Sequence, residues 1–191
     1  MARPGRRRAR CAAVVIMAAL LTAACGAPRP ATPTGGVSAA PSALPDWFRI
    51  SMTDVRTGQA FTMADFAGKV VLVEAMAEWC PTCREQQTEV TRYRSGLADA
   101  TDVVSVSLDI DLHEDEASLK TYATAYGYDW RFAVAPLAVA RALGNLYSAE
   151  YLNPPYSPIL LLDRHGNTTS LPYGVKVAAY LKTTVDPYLT H

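Results

Sequence analysis

Cysteine and histidine are scarce in this chain, with four cysteines and three histidines among 191 residues. A structural zinc ion takes four ligands, and His113, His165 and His191 supply no second cluster beside the pair Cys80 and Cys83. The number and spacing of the cysteines also exclude a framework of several structural disulfides. We therefore predict no metal site; half of a zinc site and a purely structural disulfide are the alternative interpretations of the pair.

The chain also lacks an apolar run long enough to span a membrane. The uncharged stretch over residues 11–24 falls short of the roughly 20 residues that a transmembrane helix needs. Five arginines precede it within the first ten residues. This pattern predicts a signal peptide over residues 1–24, with a permanent transmembrane helix as the weaker alternative.

The end of this stretch resembles a bacterial lipobox. The segment LTAAC over residues 21–25 places small residues before Cys25, which implies that Cys25 is lipidated and becomes the mature N-terminus. Thr22 stands where the usual lipobox has leucine. The alternative is an ordinary cleaved signal peptide. In either case Cys80 and Cys83 remain as an isolated pair.

Positive charge is not in excess. The chain has 18 basic and 18 acidic residues, and loss of the five leading arginines leaves 13 basic residues and a net charge of −5. This balance does not indicate a nucleic-acid partner.

A tether follows the leader. Residues 26–45 include five prolines and three glycines, with no large apolar residue before Val37. Such a segment cannot pack a core, and as flexible coil it would average roughly 25 Å end to end. We predict three parts: the signal peptide over 1–24, the lipidated Cys25 with its tether over 25–45, and one domain over 46–191.

The motif Cys80-Pro81-Thr82-Cys83 follows Trp79 and the apolar run VVLV over residues 70–73. Its two thiols therefore lie at the exit of a predicted buried strand. Pro81 suits the first position of a helix. A helix that begins there places the first thiol over free backbone N–H groups, which favours the reactive thiolate.

Strands and helices alternate along the domain, which predicts an α/β fold with a central mixed sheet flanked by helices and an N-terminal β extension. The predicted strands follow a leading hairpin over 48–61 and cover residues 69–75, 103–108, 132–134, 159–162 and 168–173. The predicted helices cover residues 81–97, 115–126, 137–143 and 175–189, with Pro187 weakening the last turn.

The domain resembles the thioredoxin superfamily, and in particular the TlpA-type thiol-disulfide oxidoreductases, which are membrane-anchored and extracytoplasmic. The resemblance rests on three segments: VLVE over 71–74, AEWCPTCR over 77–84, and SPILLLD over 157–163 with its turn at Gly166. It implies a thioredoxin-like fold with no cofactor beyond the redox-active disulfide. Cys80 would be the nucleophile and Cys83 the resolving cysteine.

The same resemblance implies the setting. The protein would be a lipoprotein on the outer face of the bacterial cytoplasmic membrane and would exchange disulfides with proteins there. It would act as a reductant fed by a membrane thiol donor, and cytochrome c maturation is one candidate process.

The resemblance also implies several roles around the cysteines. Glu74 would be a buried carboxylate that exchanges a proton with Cys83; a partly solvated acid is the alternative. Pro158 would be a cis-proline that faces the cysteines, and the backbone of Ser157 would pair with an extended substrate. The predicted groove has ordinary loop packing as its alternative and would be lined by Tyr151, Pro155 and Tyr156.

Two other functions are kept as alternatives. The segments SLDID over 107–111 and DWRF over 129–132 resemble Sco-type copper chaperones. In that family three residues separate the two cysteines, whereas two separate Cys80 from Cys83, and a distant histidine completes the copper site. Tyr156 and Ser157 stand near the expected place of that histidine. A noncatalytic binding module is the other alternative.

Three departures from the family pattern are noted. Gln86 replaces a common acid, and Ala75 with Met76 replaces an aromatic pair. The third concerns a different family: Ala77 stands where the peroxiredoxin motif has threonine, which argues against peroxidase activity of that kind. The acidic run over 109–116 is interpreted as a solvated loop and helix start, with a contact surface as the alternative.

Overall fold

The structure, a computed structural model, describes residues 44–189. The predicted signal peptide over 1–24, the lipidation site Cys25 and nearly all of the tether lie outside the described residues. Among residues 44–189, no helix is both long and apolar enough to cross a membrane.

Residues 44–189 contain seven strands. Two form a separate N-terminal hairpin and five form the central sheet in the order β5-β4-β3-β6-β7. Strands β4 and β5 run parallel to β3, whereas β6 runs antiparallel to β3 and pairs with an antiparallel β7. The strands are β1 (Met52–Asp54), β2 (Gln59–Phe61), β3 (Val70–Met76), β4 (Val103–Asp109), β5 (Arg131–Val134), β6 (Ile159–Leu162) and β7 (Thr168–Ser170).

Four helices connect or follow these strands. They are α1 (Pro81–Ser95), α2 (Glu116–Ala125), α3 (Leu137–Leu146) and α4 (Ala178–Val185). The last helix is shorter than predicted, because it begins at Ala178 and gives way to a 3-10 turn, Asp186–Tyr188, that contains Pro187. The mixed sheet with flanking helices confirms the predicted thioredoxin-like α/β fold.

Strand β3 is buried along its whole length, as expected for a strand with neighbours on both sides and helices on both faces. Alternate residues point to opposite faces. Val70, Leu72 and Met76 join one apolar core with residues of α1, α2 and α4, whereas Val71 and Val73 join a second core on the other face. Glu74 has the parity of Leu72 and Met76, so its carboxylate points to the α1 side.

The N-terminal hairpin confirms the predicted β extension. Its turn places Gly58 in the left-handed region at φ 73°, which glycine adopts without steric cost. The Gly58 N–H donates to the Asp54 carbonyl at 2.7 Å. In the same turn, the Val55 N–H donates to the Phe132 carbonyl at 2.9 Å, and this bond connects the hairpin to the edge strand β5.

Candidate active site

The two cysteines of the motif lie at the head of α1 and form a disulfide, with Cα atoms 5.3 Å apart. Cys80 is the N-cap residue of the helix and Pro81 is its first residue, as predicted. The Cys83 N–H donates to Cys80 Sγ at 3.2 Å. When the pair is reduced, this N–H and the positive end of the helix dipole favour negative charge on Cys80.

Backbone carbonyls of the loop over residues 154–158 lie against the cysteines. Both cysteines are fully buried in this oxidised form. The Thr82 hydroxyl lies 3.2 Å from Cys80 Sγ and 3.2 Å from the Pro155 carbonyl oxygen. Cys83 Sγ lies 3.4 Å from the Pro154 carbonyl oxygen. The loop over residues 154–158 therefore packs directly on the motif, as the resemblance implied for the segment that contains Pro158.

The conformation of that loop differs from the prediction in one respect. Residues 44–189 contain no cis peptide bond, so the Ser157–Pro158 bond is trans and the expected cis-proline is wrong for this structure. Ser157 instead adopts a left-handed conformation at φ 45° and ψ 54°, and this turns the chain into β6. The Pro158 carbonyl accepts a hydrogen bond from the Ala75 N–H at 3.3 Å, beside the end of β3.

The backbone of Ser157 is not free to pair with a substrate as predicted. Its N–H donates to the Pro154 carbonyl at 2.7 Å, and its carbonyl oxygen accepts a hydrogen bond from Lys176 Nζ. A peptide that paired with Ser157 would have to open both bonds. In this structure the exposed edge of the loop is formed by Pro155 and Tyr156 instead.

Glu74 lies beneath the motif and is buried, as predicted. Its Oε2 atom accepts hydrogen bonds of 3.0 Å from Gln87 Nε2 and from the Ser107 hydroxyl, and its Oε1 atom has no partner among the described residues. Burial raises the pKa of Glu74 to about 7, although the two hydrogen bonds and the charge of Lys176 pull it down.

Lys176 is a feature of the site that the sequence analysis missed. Its side chain is buried, and Nζ donates to the carbonyls of Ser157 and Gly174, the latter at 2.6 Å. Burial lowers the pKa of Lys176 to about 8, and the charge of Glu74 opposes that effect. A buried lysine therefore links the loop over the cysteines to the acid beneath them.

The side chain of Gln86 fixes the backbone of Lys176. This side chain is fully buried; Nε2 donates to the Lys176 carbonyl at 3.1 Å and Oε1 accepts from the Lys176 N–H at 2.6 Å. These two hydrogen bonds fix the backbone of the loop before α4. The departure noted in the sequence, glutamine in place of an acid, therefore has a structural role here.

The predicted groove residues separate into two groups. Tyr151 is 1% exposed, and its hydroxyl hydrogen-bonds the Ile159 carbonyl at 3.0 Å and the Ser170 hydroxyl at 3.1 Å. It is a core residue, so its assignment to the groove is wrong: the aromatic ring packs under the loop rather than along its edge. Pro155 and Tyr156 are exposed.

An apolar surface surrounds the motif. Trp79 is 55% exposed, and its indole Nε1 donates to Asp111 Oδ2 at 2.7 Å, which fixes the ring on the loop after β4. A shallow groove runs from this ring between the loops at 110–113 and 152–154. Its exposed apolar side chains and those beside it are Trp79, Leu112, Leu152, Tyr156 and Tyr173.

A cluster of three acids lies behind Trp79. One carboxylate oxygen each from Glu78, Asp109 and Glu114 lies within 4.8 Å of the other two. Asp109 is fully buried, which corrects the interpretation of the acidic run as wholly solvated. Burial raises the pKa of Asp109 to about 8, and the carboxylates of Glu114 and Glu78 add to that shift.

The Redoxin family model matches residues 39–182, whereas the comparison with curated proteins found no similar sequence.

Several solved structures share the fold. A thiol:disulfide interchange protein of Chlorobium tepidum has 21% identity, with 73% of this chain and 92% of that chain covered and a TM-score of 0.59. A secreted thiol-disulfide isomerase of Corynebacterium glutamicum has 17% identity, with 78% of this chain and 86% of that chain covered and a TM-score of 0.60. A secreted disulfide oxidoreductase of Mycobacterium tuberculosis has 17% identity, 73% and 96% coverage and a TM-score of 0.55. At these identities the likeness establishes a common fold. The family match, which covers residues 39–182, shows that this chain belongs to the Redoxin family.

Proposed function

We propose that the protein is a thiol-disulfide oxidoreductase in which Cys80 is the nucleophile and Cys83 the resolving cysteine. The observation that carries the proposal is the Cys80–Cys83 disulfide at the head of α1, where Cys80 Sγ accepts the Cys83 N–H. A thiolate at this position is stabilised before the reaction begins. A structural disulfide would gain nothing from that arrangement.

The exchange runs in two steps. In the reductive direction the Cys80 thiolate attacks a disulfide sulfur of a protein substrate, forms a mixed disulfide and expels the other substrate sulfur as a thiolate. Cys83 then loses its proton and attacks Cys80 Sγ, which releases the second substrate thiolate and closes the Cys80–Cys83 disulfide. Two electrons pass to the substrate, and a donor dithiol restores the reduced pair.

Glu74 is the proposed acid-base group for Cys83. Its hydrogen bond to Gln87 places the carboxylate one helical turn beyond Cys83, and a pKa of about 7 suits proton exchange near neutral pH. The described residues give no direct contact between Glu74 and either sulfur. The Oε1 atom, which has no partner among the described residues, is where a water that carries the proton would bind.

The proposed substrate is an extended or unfolded protein segment. The apolar side chains around Trp79 offer contacts that do not depend on a particular sequence. Trp79, Pro81, Thr82, Pro155 and Tyr156 would contact the segment beside its disulfide. Ser157 and Pro158 hold the loop behind them, and Ser157 would offer its own backbone only after the bonds to Pro154 and Lys176 open.

We further propose that this chemistry takes place outside the bacterial cytoplasmic membrane. The arginine-rich leader, the lipobox-like LTAAC segment and the tether support a lipoprotein anchored through Cys25, and two of the structural relatives are described as secreted. The reductive direction, a membrane thiol donor and a role in cytochrome c maturation follow from the TlpA-type resemblance.

A trapping experiment tests the assignment of the two cysteines. In the full chain purified in detergent, Cys83→Ser should accumulate a mixed disulfide with insulin that dithiothreitol releases. The matched variant Cys80→Ser should form no such adduct. Equal adduct in both variants, or none in either, would contradict the proposal. Stoichiometric Cu(I) binding without insulin reduction by the wild type would instead support the copper-delivery alternative.

The reduction potential tests the direction. A value for the Cys80–Cys83 couple near or below the roughly −270 mV of thioredoxin identifies a reductant, and a value near the roughly −120 mV of DsbA identifies an oxidant. The proposal expects the first result.

A further inference from the structure

The acidic cluster behind Trp79 joins three separate segments at one edge of the sheet. Glu78 lies between β3 and Cys80, Asp109 is the last residue of β4, and Glu114 lies in the loop before α2. Strands β3 and β4 are parallel and their last register pair is Met76 with Asp109. The carboxyl ends of both strands therefore point to the cluster, which is where open α/β sheets hold ligands.

The cluster has no cationic partner in the described part of the chain. The five ion pairs among residues 44–189 leave out Glu78, Asp109 and Glu114. Hydrogen bonds satisfy only part of the cluster. Glu114 Oε2 accepts the Glu78 N–H at 2.8 Å, and Asp109 Oδ1 accepts the Asp111 N–H at 2.9 Å.

Two oxygens of the cluster are buried without any partner among the described residues. They are Asp109 Oδ2 and Glu78 Oε1. Asp109 itself is 0% exposed, so no bulk water reaches its carboxylate. A buried carboxylate oxygen without a donor is costly. Asp109 Oδ2 therefore requires either a cation or a proton shared with the neighbouring Glu114 carboxylate.

We propose that Glu78, Asp109 and Glu114 form a binding site for a hard divalent cation of the Ca²⁺ type. Hard cations take carboxylate oxygens, and Ca²⁺ binds them at 2.3–2.6 Å in flexible geometry. Two ligands on opposite sides of such an ion lie up to about 5 Å apart, which the separations within 4.8 Å satisfy. Backbone carbonyls or water would complete its coordination. The prediction of no metal site considered cysteine and histidine ligands and did not consider this group.

The bound ion would fasten the residues immediately before Cys80. Glu78 precedes Trp79, whose indole is already bonded to Asp111 in the next loop. The Glu78 N–H bond to Glu114 is a second link between the same two loops, and a cation between Glu78, Asp109 and Glu114 would add a third. The site would therefore be structural and would position the exposed Trp79 ring beside the motif.

The test uses the full chain, purified in detergent, freed of metal with EDTA and titrated with Ca²⁺ by calorimetry. Saturable binding of one Ca²⁺ per chain is expected, and Tb³⁺ should replace it and luminesce when tryptophan is excited. Asp109→Asn should weaken Ca²⁺ binding at least tenfold. The matched control Glu116→Gln, an exposed acid at the start of α2, should bind as the wild type does.

Two further measurements locate the ion and guard against misfolding. Trp79→Phe should reduce the Tb³⁺ luminescence while it retains Ca²⁺ binding, since Trp79 is adjacent to the ligand Glu78 in the chain; Trp130, which bonds Ser107 on β4, supplies the remaining signal. At ten times Kd, Ca²⁺ should raise the melting temperature of the wild type by about 3 °C and that of Asp109→Asn by less. If Asp109→Asn does not fold, Glu114→Gln replaces it at the partly exposed side of the cluster.

Two results would contradict the proposed Ca²⁺ site. Absence of saturable Ca²⁺ binding by the wild type would show that the carboxylates share a proton instead. Binding that Asp109→Asn and Glu114→Gln both retain would place the ion elsewhere.

Discussion

Gln87 Nε2 donates a 3.0 Å hydrogen bond to Glu74 Oε2, and Gln87 lies one helical turn after Cys83 on α1. The strand that precedes the motif and the helix that follows it are therefore joined by a buried polar contact directly below the resolving cysteine. The hydroxyl of Tyr122 donates to Gln87 Oε1 at 2.6 Å and completes the amide's bonding. The acid is thus held in one orientation.

The first prediction concerns stability and pH. Folding raises the pKa of Glu74 from its ordinary 4.5 to about 7, so the folded protein binds more protons than the unfolded chain between these values. The contribution of Glu74 to stability is therefore fully present below pH 4.5 and falls by about 3 kcal/mol as the pH rises to 7. Glu74→Gln should reduce the slope by about this amount in urea titrations at several pH values, and the part that remains is the contribution of Asp109, whose pKa burial also raises.

The control for this experiment is Glu85→Gln, because Glu85 is an exposed acid on α1. Its pH slope should match the wild type. A wild-type slope that persists in Glu74→Gln would show that other groups account for it.

The second prediction concerns Lys176. Its charge lowers the pKa of Glu74, so Lys176→Met should raise that pKa above 7. Infrared titration of the buried carboxyl band would measure the change, and Lys120→Met, which alters an exposed lysine on α2, should leave the band unchanged. An unshifted band in Lys176→Met would mean that the two charges do not interact.

The third prediction concerns Thr82. In the reduced protein its hydroxyl, 3.2 Å from Cys80 Sγ, can donate to the thiolate, and a hydrogen bond to a charged group contributes about 1.5 kcal/mol. Thr82→Val should therefore raise, by about one pH unit, the pH at which alkylation of Cys80 by iodoacetamide reaches half of its maximal rate, and should slow alkylation below that pH.

Thr82→Ser keeps the hydroxyl and should restore most of the alkylation rate. If Cys80 is alkylated as fast in Thr82→Val as in the wild type, the Thr82 hydroxyl donates to the Pro155 carbonyl and not to Cys80. That carbonyl oxygen lies at the same distance.

The fourth prediction distinguishes the role of Tyr151 in the core from that of Tyr156 in the proposed groove. Tyr151→Phe removes a buried hydroxyl with two partners and should lower the free energy of unfolding by about 1–2 kcal/mol. Insulin reduction should be unchanged below the unfolding transition. Tyr156→Ala is the matched change on the exposed loop and should raise KM for insulin with little effect on stability. A loss of activity in Tyr151→Phe without a loss of stability would return Tyr151 to the groove.

Local patterns in the sequence predicted the parts of the site that lie within one strand-helix unit. The apolar run of β3, Pro81 at the first helical position and the spacing of Cys80 and Cys83 are neighbours in the chain, so each is specified by short-range preferences. The inward direction of Glu74 follows from strand parity alone. These features agree with the structure.

The parts that the sequence did not reveal depend on contacts between distant segments. Lys176 follows Gly174 in a short loop with no burial pattern, and it is buried because Gln86 holds its backbone at two points. Asp109 stands in an acidic run that resembles a solvated loop, yet it ends a central strand. The left-handed conformation of Ser157 depends on the packing of residues 154–158 over α1. Such positions are fixed by tertiary structure and leave little local signal.

The short spacing of the cysteines has a thermodynamic consequence. A disulfide between residues three apart closes a small loop, so it restricts the unfolded chain less than a long-range crosslink would. Much of the difference in stability between the oxidised and reduced proteins must then arise within the folded state, where the head of α1 stabilises a Cys80 thiolate. Oxidation state and folding thus form a closed cycle, in which each interaction that stabilises the reduced fold makes the disulfide a stronger oxidant by an equal amount of free energy. The reduction potential can therefore be read from two unfolding curves, provided that the potential of the unfolded pair is known.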